Sequence, residues 1–335
     1  MALFVFRCSF FLAVVSFTAC VRWTPPAVTP VSGGACRSPA LHWFAPDDPH
    51  ERRRLDAWCA GVGEAALRGG PGGSAAADMS DVAFVSWNVH VGNGDIRSFV
   101  NDLRAGLHTG GRRFPHFVLL LQEAVRTGGV PAFAATAAGA KRIAPSGRAT
   151  PIDIVRVSRE LGTSLIYVPS MRNGESADDS PEDRGSAIVS TLPLMNPVAV
   201  ELPGERQRRV AIAARAESFS VAVLHFDALG GWRRLRVFWT PWMRDLQVRS
   251  MASVLPDGPL VVGADLNTWH GRDEPAARAL GRLFRTTPLS VDRQGLELRV
   301  LDYMFFRAGA QQRARYRQVE RRYGSDHRPL VGWVE

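Results

Sequence analysis

Short apolar runs of strand length, separated by stretches with helical spacing, recur from residue 81 to residue 335. The runs that predict strands are 82–89, 117–122, 164–169, 186–191, 198–202, 210–216, 219–225, 260–263, 298–306, 314–320 and 329–334. The stretches that predict helices are 96–107, 152–161, part of 238–255 and 274–284. Because strands and helices of this kind must cover each other's apolar faces, the pattern predicts a mixed α/β layered domain over residues 81–335.

The composition is that of a folded domain, and its net positive charge favours a negatively charged partner. The chain is 46% hydrophobic and 22% charged, which excludes a disordered tail, a collagen-like repeat and a polytopic membrane protein. Its formal net charge is +9, and Lys141 is the only lysine, so arginine supplies nearly all of the positive charge. Arginine binds phosphate through a planar pair of donors, which favours a phosphate-bearing partner. A GC-rich genome would produce the same arginine bias.

Residues 1–20 have the features of a signal peptide. Arg7 precedes an apolar run over residues 8–19, which is too short for a comfortable membrane span. The sequence FTAC at 17–20 resembles a bacterial lipobox, so we expect a lipoprotein whose Cys20 is acylated. Plain secretion and an uncleaved anchor are the alternatives. The expected location is the periplasm or the cell surface, with membrane attachment through a lipidated Cys20.

Residues 21–80 are expected to be a tether and a short N-terminal segment. Residues 21–35 and 68–78 are rich in proline, glycine and small residues, which is typical of linkers. Residues 50–67 carry an apolar stripe with helical spacing.

The cysteines allow one disulfide in this N-terminal segment. Cys8 lies in the signal, and lipidation would occupy Cys20, which leaves Cys36 and Cys59 as a pair. An oxidising compartment favours a disulfide between them, and two free buried thiols are the alternative. No CxxC pair is present in the sequence, so a cysteine zinc site is not expected.

Polar side chains stand at or near the ends of the apolar runs. They are Asn88, Glu123, His225, Asp265, Asn267, Asp302, Asp326 and His327. Strand ends are where layered α/β sheets assemble active sites from distant parts of a chain. Carboxylate and amide oxygens prefer Mg²⁺, and nearby carboxylates can orient or charge a histidine. The set therefore indicates metal-assisted phosphoester hydrolysis.

Seven short motifs then give the chain a resemblance to a known family. In order, they are SWNV (86–89), LQEA (121–124), RGSAIVSTLPL (184–194), LHFD (224–227), GADLN (263–267), LDYMF (301–305) and SDHRPL (325–330). Together they resemble the endonuclease/exonuclease/phosphatase superfamily, with the deoxyribonuclease-I-like fold, and the signal indicates an exported bacterial member. The resemblance implies a four-layer sandwich in which helices flank two mixed β-sheets packed face to face.

The resemblance implies a metal site that takes Mg²⁺ or Mn²⁺. Glu123 matches the principal metal-binding glutamate of the family, and Asn88 matches the asparagine beside the metal. Asp326 matches a further aspartate on the metal side.

The resemblance also implies the catalytic residues. Asp265 matches the aspartate that positions or deprotonates the attacking water, and Asn267 matches the neighbour that holds a phosphate oxygen. His327 matches the histidine at the scissile phosphate, and Asp302 matches the carboxylate that orients it.

A second active-site histidine is implied as well. His225 matches this histidine, and Asp183 is the residue best placed in the sequence to be its acidic partner.

The substrate stays open between nucleic acid and phospholipid. Positive charge favours nucleic acid, with arginine clusters at Arg206, Arg208, Arg209, Arg233, Arg234 and Arg236. The acidic stretch 171–184 would repel a duplex if it lies near the site, and is otherwise a solvated loop. Segment 230–244 mixes tryptophans with arginines, so it could stack bases, lie at lipid headgroups or begin a buried helix.

These observations together predict a monomeric, exported nuclease or phosphodiesterase. A lipid or inositol-phosphate phosphodiesterase or phosphatase, similar to sphingomyelinases, is the alternative. A non-catalytic surface binding protein is disfavoured because the motif set is complete. His90 stands two residues after Asn88, where some family nucleases carry an acid, and this weakens a role in abasic-site repair.

Overall fold

The fold is described from a computed structural model of the chain. It describes residues 27–34, 36–70, 77–132, 151–174, 178–204, 207–228, 240–268, 271–284 and 301–335. Several predictions concern residues outside these ranges, namely the signal peptide at 1–20 with Cys20, the arginines Arg206, Arg233, Arg234 and Arg236, and most of segment 230–244.

The described residues form strands and helices in an alternating order. The strands are β1 (Val28–Val31), β2 (His42–Pro46), β3 (Ala66–Arg68), β4 (Val82–Asn88), β5 (His116–Arg126), β6 (Ser164–Asn173), β7 (Glu182–Ser190), β8 (Met195–Leu202), β9 (Arg209–Ala216), β10 (Phe219–His225), β11 (Leu260–Asp265), β12 (Asp302–Arg307), β13 (Ala314–Gln318) and β14 (Leu330–Val334). The helices are α1 (Pro49–Cys59), α2 (Ile96–Arg104), α3 (Ile154–Leu161), α4 (Thr240–Ala252) and α5 (Pro275–Leu283).

The strands form two mixed sheets of seven strands each. One sheet has the order β1-β2-β8-β9-β10-β11-β12, and the other has the order β13-β14-β4-β5-β7-β6-β3. A core that includes Phe84, Leu120, Val223 and Val261 lies between the sheets. The α/β sandwich predicted from the sequence is therefore confirmed.

Helices cover the outer faces of both sheets. On the second sheet, Phe99 of α2 and Val157 of α3 share a core with Val85 of β4. On the first sheet, Met251 of α4 and Leu280 of α5 pack with the outer side chains of that sheet. Because the central strands are covered on both faces, they are apolar throughout rather than alternating.

The N-terminal segment belongs to the sandwich. Although composition predicts a tether over residues 21–35, Val28–Val31 form β1 and pair with β2, which in turn pairs with β8. The helix expected over residues 50–67 ends at Cys59, and Ala66–Arg68 form β3 against β6. Gly61 and Gly63 follow the helix end, and glycine favours termination.

The predicted disulfide is confirmed. Cys36 and Cys59 are bonded, with their Cα atoms 5.2 Å apart, and both side chains are buried. None of the described helices is both long and apolar enough to cross a membrane.

Candidate active site

The strand ends meet at one end of the space between the two sheets. β4 runs parallel to β5 and β10 runs parallel to β11, so the carboxyl ends of each pair lie side by side. Register places His225 opposite Asp265, and Asp265 opposite Asp302 on the antiparallel β12. The fold therefore converts residues far apart in sequence into neighbours.

Asp265 lies at the centre of the cluster. Its Oδ2 accepts a hydrogen bond from Asn88 Nδ2 at 2.8 Å, and its Oδ1 accepts one from the Asn267 backbone N–H at 3.0 Å. The Nε2 atoms of His225 and His327 lie 3.6 and 3.9 Å from Oδ2. Burial, with the nearby charge of Asp302, raises the pKa of Asp265 above its usual range. A carboxylate of raised pKa can accept a proton near neutral pH.

Asp302 and His327 form a hydrogen-bonded pair. His327 Nδ1 lies 2.7 Å from Asp302 Oδ2, and both side chains are largely buried. Burial by itself would lower the pKa of His327, but the Asp302 carboxylate outweighs it and raises that pKa to about 10. Ser325 fixes the backbone here, because its Oγ accepts from the His327 N–H and donates to the Asn88 carbonyl oxygen. His327 is therefore an imidazolium at neutral pH, with Nε2 directed toward Asp265.

His225 has a different partner from the one expected. Arg209 Nη1 lies 3.0 Å from His225 Nδ1, and since arginine only donates, Nδ1 is the acceptor. Burial, together with the charges of Arg209 and Arg184, lowers the pKa of His225 well below its ordinary value. His225 is therefore neutral, and its Nε2 carries the hydrogen that faces Asp265 and Glu123.

Asp183 does not join this cluster, so its predicted pairing with His225 is wrong. Its carboxylate accepts from Arg126 Nη2 at 2.5 Å, from the Gly63 N–H at 2.9 Å and from the Tyr167 hydroxyl at 2.8 Å. The physical reason is strand geometry, because successive side chains point to opposite faces of a sheet. Arg184 points into the site, and Asp183, one residue earlier, points away from it.

Glu123 lies at a strained irregularity within β5. It has a φ of 55°, at an irregularity in the β5–β7 pairing between Leu121 and Ala124. The adjoining loop is also strained, with φ values of 46° at His90 and 51° at Val91. Positive φ is rare for residues other than glycine, most of all for a β-branched valine, and such strain concentrates at functional sites.

Contacts around Glu123 suit a carboxylate that keeps its charge. Its Oε2 accepts from the Val91 N–H at 3.1 Å and lies 3.4 Å from Arg184 Nη1. Burial would raise the pKa of Glu123, but Arg184 and Arg209 outweigh it and lower that pKa. Glu123 Oε1 lies 4.0 Å from His225 Nε2, beyond hydrogen-bond distance, and is available to a cation.

The residues on the metal side fit a hard divalent cation. Glu123 supplies an anionic oxygen, and Asn88 Oδ1 accepts only the His90 N–H among the described groups, at 2.9 Å. Asp326 lies at the rim, with Oδ1 2.8 Å from His90 Nδ1 and 3.9 Å from His327 Nε2. Anionic, carbonyl and carboxylate oxygens are the donors that Mg²⁺ prefers.

A second group of metal-ligating atoms overlaps the first. Within the described part of the chain, atoms of Asp265, Asp302 and His327 lie within 4.8 Å of one another. The 2.7 Å hydrogen bond between His327 Nδ1 and Asp302 Oδ2 makes those two atoms unavailable as metal ligands. We therefore assign this group to proton handling and the Glu123 side to the cation.

Two arginines, Arg184 and Arg209, were not predicted from the sequence as active-site residues. Arg184 and Arg209 are buried, and the Nε atoms of both have no hydrogen-bond partner among the described residues. In sequence, Arg184 lies in an acidic stretch and Arg209 in a cluster that favours nucleic-acid binding. Their positions in the sequence could have identified them, because each arginine stands at the start of an apolar strand run, in RGSAIV and RVAIA.

A two-sheet α/β sandwich with carboxylates, amides and histidines gathered at one sheet edge defines the class of metal-assisted hydrolases. Residues 85–327, more than half of the chain, match the model of the Endonuclease/Exonuclease/phosphatase family, so the chain belongs to that family, whose members hydrolyse phosphoesters. No curated protein matches the sequence.

Solved structures with a similar fold share little sequence with the chain. The human Nocturnin catalytic domain is 16% identical to the chain, with a TM-score of 0.46. The match covers 76% of this chain and 94% of the Nocturnin domain. A family member from Leptotrichia buccalis is 11% identical, with a TM-score of 0.47, and covers 76% and 99%. The 3′ phosphatase NExo from Neisseria is 16% identical, with a TM-score of 0.42, and covers 76% and 99%.

Proposed function

We propose that this protein is an exported, metal-dependent phosphoesterase that hydrolyses a phosphodiester by attack of water. The observation that carries the proposal is the position of Asp265 between a charged histidine, His327, and a neutral one, His225. The Asp265 carboxylate can then accept the proton of the attacking water, and the His327 imidazolium can donate a proton.

Three residues account for the proton transfers. Asp265 orients a water molecule and takes its proton as the oxygen of that water bonds to phosphorus. His327 gives the proton on Nε2 to the leaving oxygen as the bond from phosphorus to that oxygen breaks. Asp302 holds the imidazolium in place through Nδ1, at 2.7 Å, and stabilises its charge.

Other groups of the site bind the phosphate. The guanidinium groups of Arg184 and Arg209 bring buried positive charge beside Glu123 and His225. The neutral His225 donates from Nε2, and Asn267 lies beside Asp265, with its backbone N–H donating to Asp265 Oδ1 and its Nδ2 to the Phe226 carbonyl oxygen. Donors fixed before the reaction stabilise charge that develops on phosphate oxygens.

A divalent cation, Mg²⁺ or Mn²⁺, would be held by Glu123, with Asn88 and Asp326 on the same side. When bound, it neutralises charge on a phosphate oxygen, which otherwise repels the attacking oxygen.

The contacts of the charged segments change the argument about the substrate. Arg208, counted from sequence among the nucleic-acid-binding arginines, is buried in an ion pair with Glu201. In the acidic stretch 171–184, Glu182 and Asp183 are buried, and so are its two arginines, Arg172 and Arg184, so burial leaves the net negative charge of the stretch unchanged. The stretch would therefore still repel a duplex if it lies near the site, and nucleic acid stays the first proposed substrate class because of the net charge of +9.

A lipid or inositol-phosphate ester is the second candidate substrate. Arg184 and Arg209 supply affinity for a single phosphate inside the site, so binding does not require an extended polyanion.

A hydrolysis screen tests the function. Plasmid DNA, RNA, sphingomyelin and bis-p-nitrophenyl phosphate would be incubated with Mg²⁺ or Mn²⁺, and with a chelator as control. We expect metal-dependent turnover of at least one substrate and its loss in Asp265→Asn. Turnover that survives both the chelator and Asp265→Asn would contradict the proposal.

Export, lipidation and the monomeric state are proposals from the sequence. Membrane fractionation of wild type and Cys20→Ser tests the anchor, since only the wild type is expected in the membrane fraction. Sedimentation velocity of the processed protein tests the monomer.

A further inference from the structure

A segment closed by the disulfide lies against β7, which carries Arg184, and against β8, which pairs with the strand of Arg209. We call this segment, residues 36–65, the clasp. Its ends converge, because Cys36 is bonded to Cys59 and the Ala65 N–H donates to the Cys36 carbonyl oxygen at 3.2 Å. Cys36, Cys59 and Val62 form a small buried core of their own. The clasp is therefore a closed unit that can hold the residues it contacts in place.

One end of the clasp holds the strand of Arg184. The Gly63 N–H donates to Asp183 Oδ2 at 2.9 Å, and Arg126 Nη1 donates to the Glu64 carbonyl oxygen at 2.6 Å. Arg126 and Asp183 are themselves an ion pair, fully buried on the Asp183 side. Asp183 immediately precedes Arg184, so its contacts hold β7 from the face opposite to the site.

Gly63 is fitted closely at this contact. A Cβ built on Gly63 would overlap Arg126 Nη2 and the Gly129 carbonyl oxygen. Only glycine lets the clasp backbone approach this near. Gly63→Ala is therefore a small change that displaces the contact without removing a charge.

The other end of the clasp contacts Glu201, the ion-pair partner of Arg208, which is the residue before Arg209. Arg37, next to Cys36, has its Nη2 atom 3.7 Å from Glu201 Oε1, and its Nη1 atom 2.8 Å from Asp56 of α1. Glu201 accepts two hydrogen bonds from Arg208, at 2.9 and 2.6 Å, and is fully buried. Arg208 directly precedes Arg209. Charges buried this deeply tolerate little displacement, because an unpaired buried charge is costly.

We propose that the clasp positions Arg184 and Arg209 for phosphate binding, with Asp183 and Glu201 as the positioning residues. The clasp thus sets the affinity of the site for phosphate in addition to stabilising the fold. This inference rests on the proposed function, in which the two arginines bind the phosphate.

Calorimetric titration with inorganic phosphate tests the inference without requiring turnover. The full chain would be compared with Gly63→Ala, Arg37→Gln, Arg184→Lys and Arg209→Lys. We expect each arginine-to-lysine variant to raise the Kd for phosphate about 10-fold, since a paired donor is lost. We expect Gly63→Ala and Arg37→Gln to raise it by at least threefold, and Gly63→Ala to add little in the Arg184→Lys background, because both changes act through one residue.

A matched control separates positioning from loss of stability. Leu280→Ala truncates a buried side chain of α5, a helix outside the clasp, and lowers the melting temperature by itself. It is expected to leave the Kd for phosphate unchanged. If Gly63→Ala does not fold, Arg37→Gln and reduction of the disulfide in the wild type give the same measurement.

The outcomes distinguish this inference from the proposed function. Weaker binding in Arg184→Lys with wild-type binding in Gly63→Ala and Arg37→Gln would overturn the role of the clasp and leave the proposed function intact. A Kd that rises equally in Leu280→Ala would also overturn it. Absence of phosphate binding in the wild type, or wild-type binding in both arginine-to-lysine variants, would overturn the phosphate-binding assignment and this inference with it.

Discussion

His225 and His327 lie at nearly the same distance from one carboxylate oxygen and yet differ in charge. Their Nε2 atoms are 3.6 and 3.9 Å from Asp265 Oδ2. Burial lowers the pKa of both, and the group at Nδ1 decides the charge of each ring. Asp302 raises the pKa of His327 to about 10, whereas Arg209 lowers that of His225 further. One imidazole is thus a proton donor with a positive charge, and the other a neutral hydrogen-bond donor.

The comparison shows how one residue type supplies two chemical functions within a few ångströms. A leaving oxygen needs a proton at the moment that its bond breaks, and the charged His327 supplies it. A phosphate oxygen needs a fixed donor, and the neutral His225 supplies one without adding a second positive charge beside Arg209. Substitutions of the groups around these histidines test the difference, and the largest effect is expected at the cation site.

Glu123→Ala should abolish activity. Glu123 supplies the anionic oxygen of the proposed cation site, close to His225. The neutral side chain of Asn88 cannot replace its charge. Turnover would be titrated with Mg²⁺ and Mn²⁺ in wild type and variant. Unchanged metal affinity and turnover in the variant would refute the assignment of the cation site.

Asp302→Asn should lower turnover by about 10²- to 10⁴-fold and change its pH dependence. In the wild type His327 stays protonated up to about pH 10, so activity falls only on the far alkaline side. Removing the carboxylate charge lowers the pKa of His327, and the alkaline limb should therefore move to lower pH. The measurement is the pH–rate profile of kcat.

Asp183→Asn is the matched control for the Asp302 variant, since it also neutralises a buried, paired carboxylate. It should lower the melting temperature and leave the alkaline limb of kcat in place. An alkaline limb that is unchanged in Asp302→Asn would make Asp302 a structural residue only.

Arg209→Gln should weaken the binding of phosphate about 10-fold and raise the pKa of His225. Burial continues to lower that pKa, so it rises toward its ordinary value without the charge of Arg209 beside it. Titration of the imidazole by NMR would detect the shift, with the pKa of His327 as internal reference. An unchanged His225 resonance profile would show that burial alone sets its state.

His90→Ala should have the smallest effect, less than about fivefold on kcat/KM. His90 pairs with Asp326 at 2.8 Å, but both side chains are about half exposed, so water screens the pair. Steady-state kinetics at two ionic strengths would check this. A loss as large as that of Asp302→Asn would place His90 in the reaction.

Much of the fold could be predicted because strand propensity and burial are local signals. The runs at 82–89 and 219–225, for example, became β4 and β10 nearly as predicted. The pairing of Asp302 with His327 was also predicted, from the resemblance of LDYMF and SDHRPL to motifs of the family. The cysteine count, together with the expected oxidising compartment, predicted the disulfide of Cys36 with Cys59.

Other features depended on strand register, which cannot be read from the sequence. The orientation of Asp183 away from the site follows from its place one residue before Arg184, opposite Arg126 in the sheet. A shift of one residue reverses the face of a side chain, so position along the chain could not give it. Likewise, composition predicted a tether where Val28–Val31 join a sheet, because pairing with β2 is a long-range contact.

By itself the sequence determined the apolar runs, the order of the motifs and the identity of the groups at the strand ends. Only the tertiary structure decided their protonation states. His225 and His327 are the same residue in the sequence, and only packing placed Arg209 at one Nδ1 and Asp302 at the other. The physical reason is that a pKa is set by burial and by charges within a few ångströms, and such neighbours come from distant parts of the chain.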